Sequence, residues 1–230
     1  SPCAAWWSSA RGRAAGITSG TTERRASETP SIARDRYDTM AIRIKSRWHH
    51  SDRNESRYRT FADSAGALAF IIWRLSVEHA REIHREGFDY ASDHERIRVI
   101  SEYCAFAVQL VDRLAHRRVD DEGRAALIVA LGRRLADQMQ DNLLDIAGPG
   151  EYRAPFVAML NERLNDYARF DFDDNAPGFE ALRYLGDRIM RSMGVSQTNR
   201  WVMDHVMEIS APELFEKIAK SVDGLLATAA

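Results

Sequence analysis

The sequence predicts an all-α protein: an antiparallel helical bundle of about six to seven helices over residues 60–230, preceded by a disordered basic arm over residues 1–59. Three observations lead to this prediction. From about Thr60 onward, apolar residues recur at the three- and four-residue steps that define one face of a helix. Strand signals are nearly absent, since neither alternating apolar runs nor Asn-Gly turns occur. No proline interrupts the chain between Ser31 and Gly148, and the implied turns are short, as they are between antiparallel neighbours.

The arm is predicted from composition. Residues 1–59 contain twelve basic and six acidic residues, a formal net charge of +6, whereas residues 60–230 carry a net charge of −8. Large aliphatic side chains are scarce in the arm, so it buries too little apolar surface to offset the entropy lost on ordering. The first methionine is Met40. On one interpretation Met40 is the natural start of the protein, and residues 1–39 are upstream sequence without a selected role. On the alternative interpretation, the N-terminal residues are a transit-like targeting segment.

The first two long helices follow from their apolar stripes. The first is predicted over residues 60–86, with Gly87 as its stop. Its stripe contains one histidine and consists of Phe61, Ala65, Leu68, Ile72, Leu75, His79 and Ile83. Ser92 and Glu95 have the spacing of a capping box and open the second helix. The stripe of that helix consists of Ile100, Tyr103, Cys104, Ala107, Leu110, Val111 and Leu114.

The remaining helices are shorter or less regular. Asp120 is the predicted N-cap of a third long helix, which ends at Gly148-Pro149-Gly150. Helices are then expected near residues 152–170 and 177–193, and another after Ser196. A last helix is predicted to open at Ser210, with a proline in its first turn and Glu213 completing a capping box.

The length of the apolar runs, the number of cysteines and the motifs present limit the possible functions. The longest apolar run, residues 67–73, is far shorter than the roughly 20 residues that a spanning helix needs, so no transmembrane segment is predicted. Cys3 and Cys104 provide neither a disulfide framework nor a cysteine zinc site. This usage suits a reducing compartment, and we expect a cytoplasmic protein. Common nucleotide-binding, hydrolase and zinc-protease motifs are absent from the sequence, which does not exclude an enzyme but removes its clearest signals, and no cofactor is predicted.

A divalent metal site is the first chemical alternative. A buried imidazole on the apolar stripe needs a partner or loses its charge, so His79 is either a satisfied core residue or a ligand. Candidate ligands on the first two long helices are His79, Glu82, Glu102, Asp112 and His116. A di-metal bundle uses Glu-x-x-His from each of two helices, whereas the order at His79 and Glu82 is reversed. The simpler interpretation is a solvated face on which arginines neutralise the glutamates.

Two further charged segments have similar alternatives. Asp137, Asp141 and Asp145 share one face of the third long helix, where a solvated surface is favoured over a magnesium site. In the arm, basic residues alternate with aromatic ones, a pattern that binds nucleic acid or an anionic surface. The residues expected to make those contacts are Arg43, Lys45, Arg47, Trp48, Arg53, Arg57 and Arg59.

Three functions therefore remain open. The favoured hypothesis is a non-enzymatic helical protein that acts through a protein partner or a self-association surface, because the helix stripes are broad and the C-terminal third is rich in aromatic residues. The first alternative is a helical-bundle enzyme or carrier that uses the metal or ligand site named above. The second is a nucleic-acid-associated regulator that binds through the basic arm.

Overall fold

The fold is an all-α bundle, as the periodicity predicts. The computed structural model describes residues 60–173, 176–194 and 201–227. The predicted arm, with Met40 and the basic segment from Arg43 to Arg59, lies outside the described residues. The helices are α1 (Phe61–Arg85), α2 (Asp93–Ala115), α3 (Asp121–Ala147), α4 (Arg153–Tyr167), α5 (Phe179–Ser192), α6 (Val202–His205) and α7 (Ala211–Leu226). Between α4 and α5, the two-residue strands β1 (Phe172–Asp173) and β2 (Ala176–Pro177) pair antiparallel.

The three long helices begin at side-chain caps. The Thr60 hydroxyl accepts a hydrogen bond from the Asp63 amide, and the Asp63 carboxylate accepts one from the Thr60 amide, which completes a capping box for α1. Ser92 caps α2 and Asp120 caps α3, as predicted. Because these caps satisfy amides that have no partner within the helix, they set where each helix starts.

The N-cap residue of α4, Tyr152, makes no side-chain cap. The Gln140 side chain on α3 accepts hydrogen bonds from the backbone amides of Tyr152 and Arg153, at 2.7 and 3.0 Å, and the Glu151 carboxylate accepts one from the Ala154 amide at 2.9 Å. A residue of the preceding helix and a residue of the turn therefore share the free amides at the start of α4.

Helix α2 lies at the centre of the bundle. It packs against α1, α3, α4, α5 and α7, and every residue from Glu102 to Val111 is buried. The single stripe predicted for α2 therefore covers only part of its buried surface, because neighbours approach it from several sides. Small side chains, including Ala105 and Ala107, allow that close approach.

The C-terminal helices form one continuous helical segment from Val202 to Leu226. Residues Val206–Ser210 make a π-helical turn that joins α6 to α7. The predicted capping box at Ser210 is wrong: Ser210 has helical backbone angles, makes no side-chain cap and is fully buried. Turns of this kind widen a helix locally and occur often at functional sites.

None of the helices within residues 60–173, 176–194 and 201–227 combines the length and the apolarity needed to cross a bilayer.

Candidate metal centre

A group of polar side chains meets inside the bundle where α1, α2 and the segment from Val206 to Leu226 pack together. The group contains His79 of α1, Tyr103 of α2 and Ser210 of the π turn, all with 0% of their surface exposed. Polar groups buried this completely normally have hydrogen-bond partners, because desolvation without compensation is costly. The environment of each of these residues therefore matters for the site.

His79 lacks the partners that a buried imidazole requires. Neither ring nitrogen makes a hydrogen bond of normal geometry to any described residue. The Glu82 carboxylate, one turn later on the same helix, places its Oε2 atom 3.5 Å from His79 Nδ1. Residues three apart on a helix share a face, so the sequence places these two groups side by side.

Glu213, in the first turn of α7, brings a second carboxylate to the same point. One potential ligand atom each from His79, Glu82 and Glu213 lies within 4.8 Å of the other two. The imidazole is buried, whereas the two carboxylates are 32% and 46% exposed. The three groups therefore form a small cluster that is closed by the core on one side and open to solvent on the other.

The protonation state of His79 suits a ligand. Burial lowers the pKa of His79 from 6.5 to about 4, and the nearby Lys217 ammonium adds to the decrease. The Glu213 and Glu78 carboxylates act in the opposite direction but do not cancel it, and His205 lowers the pKa further. At neutral pH His79 is therefore an uncharged imidazole, the form in which histidine binds metal ions.

Two hydroxyls complete the buried side of the cluster. The Tyr103 ring lies against the His79 ring, with centroids 5.5 Å apart. The hydroxyls of Tyr103 and Ser210 are near enough to interact, although neither makes a hydrogen bond of normal geometry within the described part of the chain. Burial raises the pKa of Tyr103, and the adjacent Glu82 charge raises it further, so the phenol stays protonated and able to donate.

Lys217 is the cation of this cluster. Its ammonium lies 3.7 Å from Glu213 Oε2, one helical turn away on α7. Besides the Glu82 and Glu213 carboxylates, the Glu78 carboxylate also acts on His79, so formal negative charges outnumber the positive charge of Lys217 among these residues. A surplus of negative charge attracts cations.

The other predicted ligands lie elsewhere. Glu102 is buried, and its two oxygens accept hydrogen bonds from Arg163 Nε at 2.9 and 3.1 Å. Asp112 pairs with Arg124 at 3.1 Å, and His116 caps the C-terminal end of α2 at the surface. The structure therefore brings together only His79 and Glu82 of the five predicted ligands.

Glu102 belongs to a structural network instead of a site with free ligands. Besides Arg163, the Arg188 guanidinium lies 3.5 Å from Glu102 Oε1. Two arginines from α4 and α5 thus neutralise one buried carboxylate of α2, and this network joins three helices.

Two further groups singled out by the sequence, Cys104 and Asp137, also have partners. The Cys104 thiol is buried, donates to Ser76 at 3.4 Å, and has its pKa raised to about 12 by burial, so it stays a neutral thiol. Asp137 is paired with Arg153 at 2.6 Å, which favours the solvated interpretation of the predicted aspartate ladder.

An open cleft of about 480 Å³ lies between the C-terminal end of α2 and α7. Its polar groups include Arg118 and Asp223, which pair with each other. Arg118 also donates to the Leu114 carbonyl, so it serves the fold. The polar residues that line the cleft, Arg117, Arg118 and Asp223, are all exposed, unlike the buried His79.

Comparisons of the chain with protein-family models, with curated proteins and with solved structures found no match.

Proposed function

We propose that this chain is a helical metal-binding protein that holds one divalent transition-metal ion through His79, Glu82 and Glu213. The observation that carries the proposal is a fully buried imidazole, without a hydrogen-bond partner in the described residues, that faces two carboxylates from two different helices. A metal ion supplies the partner that His79 lacks. It also neutralises the two carboxylates.

The spacing of the groups is compatible with one ion. Nitrogen and oxygen ligands lie about 2.1 Å from zinc, so two ligands of a tetrahedral ion are about 3.4 Å apart. His79 Nδ1 and Glu82 Oε2 are already 3.5 Å apart. Glu213 has to move by a small amount, which a partly exposed glutamate side chain can do by changing rotamer.

The ligand chemistry selects the class of ion. One imidazole with two carboxylates suits zinc, manganese or ferrous iron, whereas copper(I) prefers sulfur and calcium prefers a shell made only of oxygen. Three protein ligands leave at least one coordination position open, the arrangement of catalytic and carrier sites and not of closed structural sites.

The direct test is metal binding by chelator-treated protein, measured by isothermal titration calorimetry with zinc at pH 7.5. We expect a 1:1 complex whose affinity falls at least tenfold in Glu82→Gln and in Glu213→Gln. Matched controls are Glu78→Gln and Glu216→Gln, which remove the same charge from exposed positions on the same two helices. Equal losses in the ligand and control variants would show that only net charge matters and would overturn the proposal.

A second control concerns the arm. Its His49-His50 pair is a potential ligand source by sequence alone, so the titration is repeated with both histidines replaced by alanine. We expect the 1:1 complex to persist. Its disappearance would move the metal site to the arm and refute the assignment to His79, Glu82 and Glu213.

Self-association is a second candidate function, favoured by two exposed aromatic side chains. Phe179 at the start of α5 is 68% exposed, and Trp201, next to the start of α6, is 63% exposed. Large exposed aromatic residues are enriched at protein interfaces. Light scattering coupled to size exclusion should then show a dimer that Phe179→Ser weakens, and a strictly monomeric protein at high concentration would exclude this candidate.

A further inference from the structure

We infer that the open coordination position of this metal centre accepts a small oxyanion, a carboxylate or a phosphate, with Lys217 as its second contact. The inference rests on the proposed function and adds the chemical class of the exogenous ligand. Its starting observation is that the Lys217 ammonium lies next to the carboxylate of Glu213, one of the proposed metal ligands.

The charge of the occupied site is the first step. A divalent ion bound by the Glu82 and Glu213 carboxylates and the neutral His79 imidazole has no net charge. Lys217, whose ammonium lies 3.7 Å from Glu213 Oε2, then adds one positive charge. The ion, its three ligands and Lys217 together therefore carry a formal charge of +1, whereas without the ion they carry −1; the Glu78 carboxylate, which also acts on His79, is not a ligand and is left out of this count.

Metal binding also changes what Lys217 contacts. In the structure its partner is the Glu213 carboxylate, which the proposed ion takes as a ligand. A carboxylate that binds a metal ion attracts a nearby ammonium less strongly, because the metal ion and the ammonium repel each other. Lys217 is consequently left near the metal with a weakened partner.

Access to the open position comes from the solvent side. His79 and the Tyr103 and Ser210 hydroxyls are buried, whereas Glu82, Glu213 and Lys217 are each between about a third and a half exposed. A ligand that enters from solvent reaches the metal beside Lys217. An oxyanion satisfies both groups, because one oxygen can bind the metal while a second accepts from the ammonium.

The experiment uses the full chain loaded with cobalt(II), whose visible absorption reports its coordination. Cobalt affinity is measured first, and acetate or inorganic phosphate is then titrated at pH 7.5. We expect a saturable spectral change with at least one of the two anions, and the comparison identifies whether the carboxylate or the phosphate binds better.

The contribution of Lys217 is measured with three variants. Lys217→Met should weaken the anion about fivefold, the value of one unit-charge contact at about 4 Å in water, while cobalt affinity is unchanged or higher. Lys217→Arg should recover most of the loss. Lys220→Met is the matched control, since Lys220 is the other lysine of α7 and is exposed.

The outcomes separate the two claims. Failure to bind cobalt overturns the proposed function and this inference with it. Cobalt binding without a saturable response to either anion, or equal weakening by Lys217→Met and Lys220→Met, overturns the inference alone. Weakening by Lys217→Met, recovery by Lys217→Arg and no effect of Lys220→Met support it.

Discussion

Acidification should destabilise the metal-free protein through His79. Burial lowers the pKa of this imidazole to about 4, whereas the unfolded chain has the ordinary value of 6.5. Between these two values the unfolded state binds a proton that the folded state does not bind. Stability contributed by the neutral imidazole is therefore present above pH 6.5 and is lost as the pH falls toward 4.

The size of the effect follows from the two pKa values. At pH 5.0 the unfolded imidazole is almost fully protonated, whereas the folded one is only about one-tenth protonated. The difference corresponds to about 2 kcal/mol of unfolding free energy lost between pH 7.5 and pH 5.0. For a chain of this length, that is a decrease in Tm of about 4–8 °C.

The assay is urea denaturation followed by circular dichroism across this pH range, in buffer that contains a chelator. Carboxylates also titrate toward its lower end, so the quantity of interest is the difference between wild type and His79→Leu. The variant should lose about 2 kcal/mol less, and exposed His94→Gln controls for the removal of a histidine. Parallel curves for wild type and His79→Leu would refute the assignment of a buried, neutral imidazole.

Three further substitutions, two of them paired with a comparison variant, test contacts of the bundle, each by urea denaturation. Glu102→Gln leaves a buried arginine without its carboxylate and should cost about 3 kcal/mol, whereas Glu162→Gln, an exposed partner of the same arginine, should cost under about 1 kcal/mol. Gly186→Ala should destabilise the protein by about 1–3 kcal/mol, because the new Cβ would lie 2.6 Å from a methionine Cγ of α6. Its comparison is Gly66→Ala, which has open space around it and should stabilise α1 by up to about 1 kcal/mol. Asp120→Ala removes the cap of α3 and should cost about 1 kcal/mol. The buried ion pair would be contradicted if Glu102→Gln cost no more than Glu162→Gln. The close approach at Gly186 would be contradicted if Gly186→Ala were stabilising, and the cap of α3 if Asp120→Ala left the urea midpoint unchanged.

Much of the fold can be read from local signals. The stripe of α1 is buried from Ala65 to Ile83, and the caps at Ser92 and Asp120 open their helices as predicted, because a cap depends only on residues close in sequence. The central position of α2 was not predictable in the same way. Burial on all sides depends on which helices pack against it, and a single stripe does not contain that information.

The candidate site was predictable only in part, for the same reason. His79 and Glu82 lie three residues apart, so helix geometry alone brings them together. Glu102 has a buried position on the central helix, but its arginine partners come from helices far away in the chain. Glu213 was assigned to a capping box, and no local rule places it beside a histidine 134 positions earlier.

One sequence signal does point to the continuous C-terminal segment. Apart from Ala211, its buried residues follow one another at four-residue steps: Val202, Val206, Ser210, Leu214, Ile218, Val222 and Leu226. An α-helix has 3.6 residues per turn, so a repeat of four drifts around the helix unless a wider turn intervenes. The π turn at Val206–Ser210 is such a turn, and Ser210 is the one polar residue in the series.

The polar positions of this core carry the final step of the argument. A bundle selected only for stability would place apolar side chains at residues 79 and 210, since both lie in otherwise apolar series. Each buried polar group without a partner costs about 1–3 kcal/mol. His79 carries this cost next to two carboxylates, and the Tyr103 and Ser210 hydroxyls beside it have only each other, whereas the buried Glu102 has two arginine partners. Ser64, Trp73 and Tyr167 also bury a polar atom without a partner among the described residues, so an unsatisfied group alone does not indicate a site. His79 stands out because its imidazole lies beside two carboxylates that could share a metal ion with it.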